Sequence, residues 1–517
     1  MMEGMKLAYA IELNNITMKF GNVIANNNIS FKVNKGEIHA LSGENGAGKT
    51  TLMNIIYGLY TPTSGHLTIN GKDVKFSSSK DAIACGIGMV HQHFMLVPRL
   101  TVAENIMVGQ EIGNSLKLDR QKAAKVIGEL SDRYGLKIDP NEKVANLSVT
   151  MQQRVEILKI LYRNAEILIF DEPTAVLTPQ EIEEFCTILM NLKREGKTII
   201  FISHKLNEVM EIADHITVIR RGKVITTLKT SETNTGELTK HMVGREVKLG
   251  GGSRKEVEEK GNVVEIKNAT YALNKTVKKL NNLNLSIKHG EIMGIAGVDG
   301  NGQEELAEAL AGITPLDSGD ILVDGKSIEN LSIREVKKLG VGYIPEDRHK
   351  NGLVLDFSIE ENLILGKHTD QRFCLKRMFM NKKVIHENGE NLKKEFDIRC
   401  NLVTDNASTL SGGNQQKIVI AREVLDAEKA IIAVQPTRGL DVGAIEFVHK
   451  VLVEHRNKGK GVILFSLELD ELLALSDRIA VIYKGEVVGI VNAQKTTKEE
   501  LGEMMLGLKK GETYEEA

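Results

Sequence analysis

The chain has 517 residues, with 67 Lys and Arg against 69 Asp and Glu and a net charge of −2, which leaves no electrostatic footprint for nucleic acid. The length exceeds one ordinary domain, and no apolar run approaches the ~18 residues needed to cross a bilayer. The N-terminus shows no signal-peptide apolar core, so any membrane role is expected to be peripheral. Cys85, Cys186, Cys374 and Cys400 fit no metal-ligand spacing and are expected to be reduced thiols of a cytosolic protein.

In chain order, residues 37–41 (EIHAL) read as a strand, and the chain after Gly48 reads as a helix to about Tyr57. Residues 167–170 (ILIF) and 198–203 (TIIFIS) are short β-rich runs of the kind buried in parallel sheets, each followed by helical sequence. An α/β core with a mostly parallel sheet is expected. Residues 248–262 are glycine-rich and then charged, which is linker chemistry. Beyond them the pattern repeats. ADHITVIRRGKV at Ala213 matches SDRIAVIYKGEV at Ser476, an offset of 263, and GENGAGKT at Gly43 matches GVDGNGQE at Gly297, an offset of 254. Two homologous halves are expected, over residues 9–247 and 263–510, the second longer by nine residues between these blocks.

Gly43, Glu44, Asn45, Gly46, Ala47, Gly48, Lys49, Thr50 and the following Thr51 form a phosphate-binding loop placed after a strand and at the start of a helix. Its glycines let backbone N–H groups curl around phosphate, Lys49 reaches the β/γ-phosphates, and the Thr50 hydroxyl is a Mg²⁺ ligand. Asp171 and Glu172 end a hydrophobic strand, where sheets of this class bind ligands. Asp171 is the candidate holder of the Mg²⁺ shell and Glu172 the candidate general base for an attacking water.

The order phosphate loop, Gln92 in VHQHF, LSVTMQQR with Ser148, strand-DEP and FISHKL with His204 resembles the ABC ATPases, and the resemblance covers nearly the whole chain twice. It implies two tandem nucleotide-binding domains, each a P-loop mixed-sheet core with an antiparallel β subdomain and a helical signature subdomain. It also implies ATP and Mg²⁺ as cofactors. Gln92 would sense Mg²⁺ and contact a membrane partner, His204 would be a switch histidine near the γ-phosphate, and Phe20 would stack on adenine, a contact worth ~1–3 kcal/mol.

In the second half Gln303 and Glu304 replace Lys49 and Thr50, Val434 and Gln435 replace Asp171 and Glu172, Glu346 replaces Gln92, and Leu467 replaces His204. A carboxylate at the phosphate position repels the ligand. Yet LSGGNQQK is intact, with Ser411, Gly412, Gly413 and Gln415 implied to meet nucleotide, whereas the first half carries Thr150 and Met151 in its signature. In the family such domains pair head to tail, so the intact parts would combine into one productive site.

GYIPEDRHKNGLVLDFSIEENL and QPTRGLDVGAIEF resemble the fused ATPases of monosaccharide and nucleoside importers, with wording nearer the nucleoside branch. The resemblance implies two transmembrane permease subunits, an extracytoplasmic substrate-binding protein, no nucleic acid, and a place on the cytoplasmic face of the membrane. The alternatives are a ribose- or galactose-type importer, a soluble tandem ATPase acting on ribosomes or DNA, and a second half that only binds or regulates.

Overall fold

The computed structural model describes residues 9–509 apart from 22, 92–93, 115–116, 175–176, 178, 204, 248–249, 256, 258–260, 274–276 and 376–378. The chain divides into two compact units, Met1–Val247 and Lys248–Ala517. In the first, a six-stranded sheet runs in the order Lys223–Lys229, His215–Arg220, Ile38–Ser42, Thr198–Ile202, Ile167–Asp171, Ile87–Val90. All neighbours are parallel except the antiparallel edge pair His215–Arg220 and Lys223–Lys229. The central strands are buried along their whole length, which is why they read as unbroken β-branched and aromatic runs. A separate antiparallel sheet orders Val23–Asn34, Tyr9–Phe20, Ser64–Ile69 and Lys72–Val74. Helices Val102–Met107, Arg120–Arg133 and Val149–Tyr162 form the helical part of the unit.

The second unit repeats this plan. Its six strands run in the order Val341–Ile344, Ala430–Val434, Gly461–Phe465, Ile292–Ala296, Arg478–Tyr483, Glu486–Asn492, beside a four-stranded antiparallel sheet. Helices Ile359–Leu363, Lys382–Glu395 and Gly412–Asp426 match the helical part. Among the described residues no helix is long and apolar enough to cross a membrane. All four cysteines are free.

Part of the stretch with linker composition is docked on the second unit. The Gly250 N–H donates to His449 Nδ1 at 3.3 Å, and Arg254 donates to the carbonyls of Ser476 (3.0 Å) and Ala474 (2.8 Å). Asn457 receives the Lys255 N–H at 3.1 Å.

The strand that leads into the phosphate loop is fixed at its start by a buried carboxylate. Glu37 accepts from the Asn34 N–H and side-chain amide, both at 2.7 Å, and meets His39 Nδ1 at 3.1 Å and His215 Nδ1 at 2.8 Å. Burial pushes this carboxyl up, but the hydrogen bonds from His39 and Asn34 outweigh it and hold the group at about 2. Glu291 does the same work in the second unit, with Arg478 Nε at 2.6 Å and the Lys288 N–H at 2.7 Å.

A group held below its unfolded value stabilises the fold above that value and loses the contribution as pH falls through the folded one. Glu37→Ala is therefore expected to cost the first unit about 3 kcal/mol at neutral pH. The difference from wild type should shrink from pH 4.5 towards about 2. Hydrogen exchange of first-unit amides against pH measures it, and a pH-independent difference would remove Glu37 from this role.

Candidate nucleotide site

The loop after the strand Ile38–Ser42 turns into the helix Lys49–Ile56 through Gly48, whose φ of 100° is left-handed. A Cβ at Gly48 would fall on the Ala25 carbonyl oxygen, so only glycine fits. Asn26, wholly buried, donates its amide to the Gly48 carbonyl at 3.0 Å, and the Gly222 N–H donates to the Ala47 carbonyl at 3.0 Å. Lys49 Nζ lies inside the curl, donating to the carbonyls of Gly43 (2.7 Å) and Glu44 (3.0 Å).

Asp171 ends the neighbouring strand and is buried. Burial pushes its carboxyl up to about 6, against a hydrogen bond from Thr50 and the charge of Lys49, with Glu172 adding to the rise. Lys49 and Thr50 from the loop, Asp171 at the end of the strand and Glu172 just after it thus meet in one place. Hard oxygen donors on Thr50 and a desolvated Asp171 suit Mg²⁺, which accepts few protein ligands beside phosphate and water. Glu172 holds φ at 49°, a strained value for a side chain of this size, and its N–H donates to the Ile202 carbonyl at 3.0 Å.

Phe20 is 43% exposed at the end of its strand, edge-on to Tyr60 at 5.4 Å, so a ring face is open to a ligand. Gln92 and His204 lie outside the described residues. Beside His204, Ser203 and Thr174 both donate to Glu208, at 3.3 and 2.6 Å. A groove with a cavity of about 210 Å³ is lined by Tyr57, His91, Met95, Glu156, Lys159 and Arg163, among others.

In the second unit the backbone of this loop survives without its chemistry. Gly302 has φ 109°, and a Cβ there would strike the Lys279 carbonyl. Gln303 donates to the Val298 carbonyl at 3.1 Å, where Lys49 serves Glu44. Burial and the charges of Glu308, Glu305, Glu346 and Asp299 push the Glu304 carboxyl up, so the field at the loop is negative. Gln435 keeps φ at 46° and donates its N–H to the Phe465 carbonyl at 2.8 Å, although the general base is gone.

The two signature segments also differ. Ser148 caps its helix by accepting from the Met151 N–H at 3.3 Å, and the Thr150 hydroxyl is bound to Glu181. Ser411 stands exposed at the N-cap position of Gly412–Asp426 without a side-chain cap bond, its hydroxyl accepting from the Asn414 amide at 2.9 Å. Gly412 and Gly413 leave that helix start bare of side chains. Gln415, expected at the nucleotide, is instead buried, its amide committed to the Ala407 carbonyl at 3.1 Å and to His349 at 2.8 Å.

A glycine-curled phosphate loop, a lysine within it and a strand-end Asp–Glu pair with its Asp buried, set on a sheet of this order, define a P-loop nucleotide-binding unit, and the fold that carries it is built twice in one chain. The sequence model of the ABC transporter family matches residues 26–175 and 280–438, and the chain belongs to that family, whose ATP-binding domains bind and hydrolyse ATP to power transport. The chain is similar to the guanosine import ATP-binding protein NupO of Bacillus subtilis, 51% identical over 97% of this chain and 98% of that protein. It is 48% identical to the nucleoside import ATP-binding protein NupA of Lactococcus lactis subsp. cremoris, over 96% of this chain and 98% of that one. Against the glucose import ATP-binding protein TsgD13 of Haloferax volcanii identity is 42%, over 96% of each. A chain from the crystal structure of the archaeal ribosomal stalk protein aP1 with the ribosome recycling factor aABCE1 has a TM-score of 0.61 at 19% identity, covering 96% of this chain and 92% of that one, a likeness of fold alone.

Gly48→Ala tests the loop. The substitution is expected to abolish detectable ATP binding to the first unit and to cost more than ~1 kcal/mol of stability, since strain adds to the carbonyl clash. Nucleotide titration beside thermal unfolding checks it; wild-type affinity would mean that the loop tolerates a Cβ.

Proposed function

We propose that this protein energises the import of nucleosides, hydrolysing ATP on Mg²⁺ at the cytoplasmic face of the membrane. Two permease subunits would form the pore, and an extracytoplasmic substrate-binding protein would deliver the cargo. The observation that carries the reading is near-full-length similarity to nucleoside import ATP-binding proteins, at 48% and 51% identity, above the 42% of a sugar-import relative. The decisive experiment is uptake of labelled guanosine, ribose and glucose by cells lacking this protein. Loss of guanosine uptake alone supports the reading, and loss of a sugar with normal guanosine uptake overturns it in favour of the monosaccharide alternative.

In the proposed site Gly43 to Thr51 cradle the phosphates with Lys49 on their charge, while Thr50, Gln92 and Asp171 would hold Mg²⁺, which supplies charge neutralisation at the phosphates. Glu172 would take the proton of the attacking water and His204 would contact the γ-phosphate. Phe20 would stack on the adenine. Ser411 and Gly413, from the intact signature, would complete this site; the support is the complementary loss, with loop chemistry kept in one half and signature glycines in the other. A short cytoplasmic helix of a permease would meet the first unit beside the groove lined by Tyr57, His91 and Met95, whose cavity could take one of its side chains.

Glu172→Gln is expected to lower steady-state hydrolysis ~10²–10⁴-fold while ATP still binds, because the loop and Asp171 remain. Phosphate release measured beside nucleotide affinity decides it; wild-type turnover removes Glu172 as base. In the assembled transporter Ser411→Arg should destroy turnover and Ser148→Arg should leave most of it. Equal losses from the pair would mean that both halves work symmetrically, contrary to the proposal.

A further inference from the structure

The second unit carries extra residues where the first has its Gln92 segment. The strand Val341–Ile344 is followed by a helical turn, Arg348–Gly352, before the cap at Ser358. Asp347 fixes the turn by accepting the N–H groups of His349 (2.8 Å) and Lys350 (3.1 Å). Two side chains then leave it for the start of the signature helix. His349 Nε2 meets Gln415 Oε1 at 2.8 Å, and the other end of that amide binds the Ala407 carbonyl, so the first turn of Gly412–Asp426 is held from both sides. Arg348 lies over Gly412: a Cβ there would stand 2.7 Å from Nη2. Its Nη1 donates to the Arg438 carbonyl at 3.2 Å, and the Arg438 guanidinium pairs with Glu346, the residue in the place of Gln92.

One guanidinium thus touches the signature glycine, the loop after the strand Ala430–Val434, and through it Glu346. In the first unit the same ground is built otherwise. Val149 stands in the place of Gly412, and the segment after Gln92 ties to the middle of its helix, with the Met95 N–H donating to Glu156 at 2.8 Å. Gln152, in the place of Gln415, donates to Leu147 at 3.0 Å.

We infer that Arg348 and His349 are positioning residues for ATP hydrolysis: they hold the Ser411–Gly413 helix start in place and link it to Glu346. This rests on the proposed reading that the intact signature completes the site of the first unit. A guanidinium packed over a side-chain-free glycine restrains the backbone of the helix start, and the glycine is what lets it approach so closely.

The test is steady-state hydrolysis by the assembled transporter carrying Arg348→Ala, His349→Ala or Arg348→Lys, with Ser411→Arg in parallel. The two alanine variants should each lose kcat tenfold or more with KM for ATP within twofold of wild type. Arg348→Lys should regain at least a third of the lost rate, because an ammonium still reaches the Arg438 carbonyl. Wild-type kcat in both alanine variants overturns the inference if Ser411→Arg is dead. If Ser411→Arg is itself active, the reading beneath it fails. A loss that lysine does not relieve and that follows the melting temperature marks a purely structural role and also overturns it. Should Arg348→Ala fold poorly, His349→Ala decides alone, by the same split between kcat and KM.

Discussion

A loop that wraps an anion in backbone N–H groups must bring main chain close to main chain, and the rest of this structure is arranged around that approach. At Gly48 the loop presses on the Ala25 carbonyl, Asn26 reaches back to bond it, and Gly222 closes it from the strand pair at the sheet edge. The antiparallel sheet and the six-stranded sheet therefore meet at the loop, and neither can shift without opening it. In the second unit Gly302 presses on Lys279 in the same manner, while Asn281 and Asn301 exchange backbone bonds with Gly485. Catalytic groups have been replaced there and the close approach has not. The approach belongs to the fold; the chemistry is an addition to it.

The same separation is visible at the strand ends. Glu172 and Gln435 share a left-handed backbone and the same N–H bond to the neighbouring strand, though only one is an acid. Strain of this kind costs on the order of 1–3 kcal/mol and persists where surrounding structure over-determines it. Here the two flanking strands do so in both units. The two strand ends differ in their setting: Asp171 is desolvated beside Thr50 and Lys49, whereas Val434 is an apolar side chain in an apolar place.

Much of this was legible in residue order. Strands expected at 37–41, 167–170 and 198–203 stand at Ile38–Ser42, Ile167–Asp171 and Thr198–Ile202, and the expected helix runs Lys49–Ile56. Buried parallel strands are read easily because both faces demand β-branched or aromatic side chains. The docked stretch around Gly250 and Arg254 was not legible. Glycines and charges have linker composition whether or not they find partners, and these partners, His449, Ala474 and Ser476, lie some two hundred residues away. The contacts of Gln415 were not legible for a related reason. It belongs to a motif read as one nucleotide-facing block, but a helix turns successive residues to different faces, and this one points at His349.

That turn of helix bears on how the halves divide their labour. Where the first unit has a groove with Glu156, Lys159 and Arg163 on its wall, the second sets Arg422, Glu423 and Lys337 in contact, with Glu423 buried. Burial pushes the Glu423 carboxyl up, but the two cations hold it below the usual range. Breaking such a cluster leaves an uncompensated buried charge, a cost of ~3–5 kcal/mol, so this wall resists rearrangement. The first unit also buries its acid on this helix: Glu156 is buried and pairs with Lys159 at 3.1 Å. Both halves therefore keep a buried carboxylate paired with a cation on this helix, Glu156 in one and Glu423 in the other. The buried pairing, like the close approach at the loop glycine, belongs to the shared fold, whereas the loop residues Lys49 and Thr50 of one half are Gln303 and Glu304 in the other.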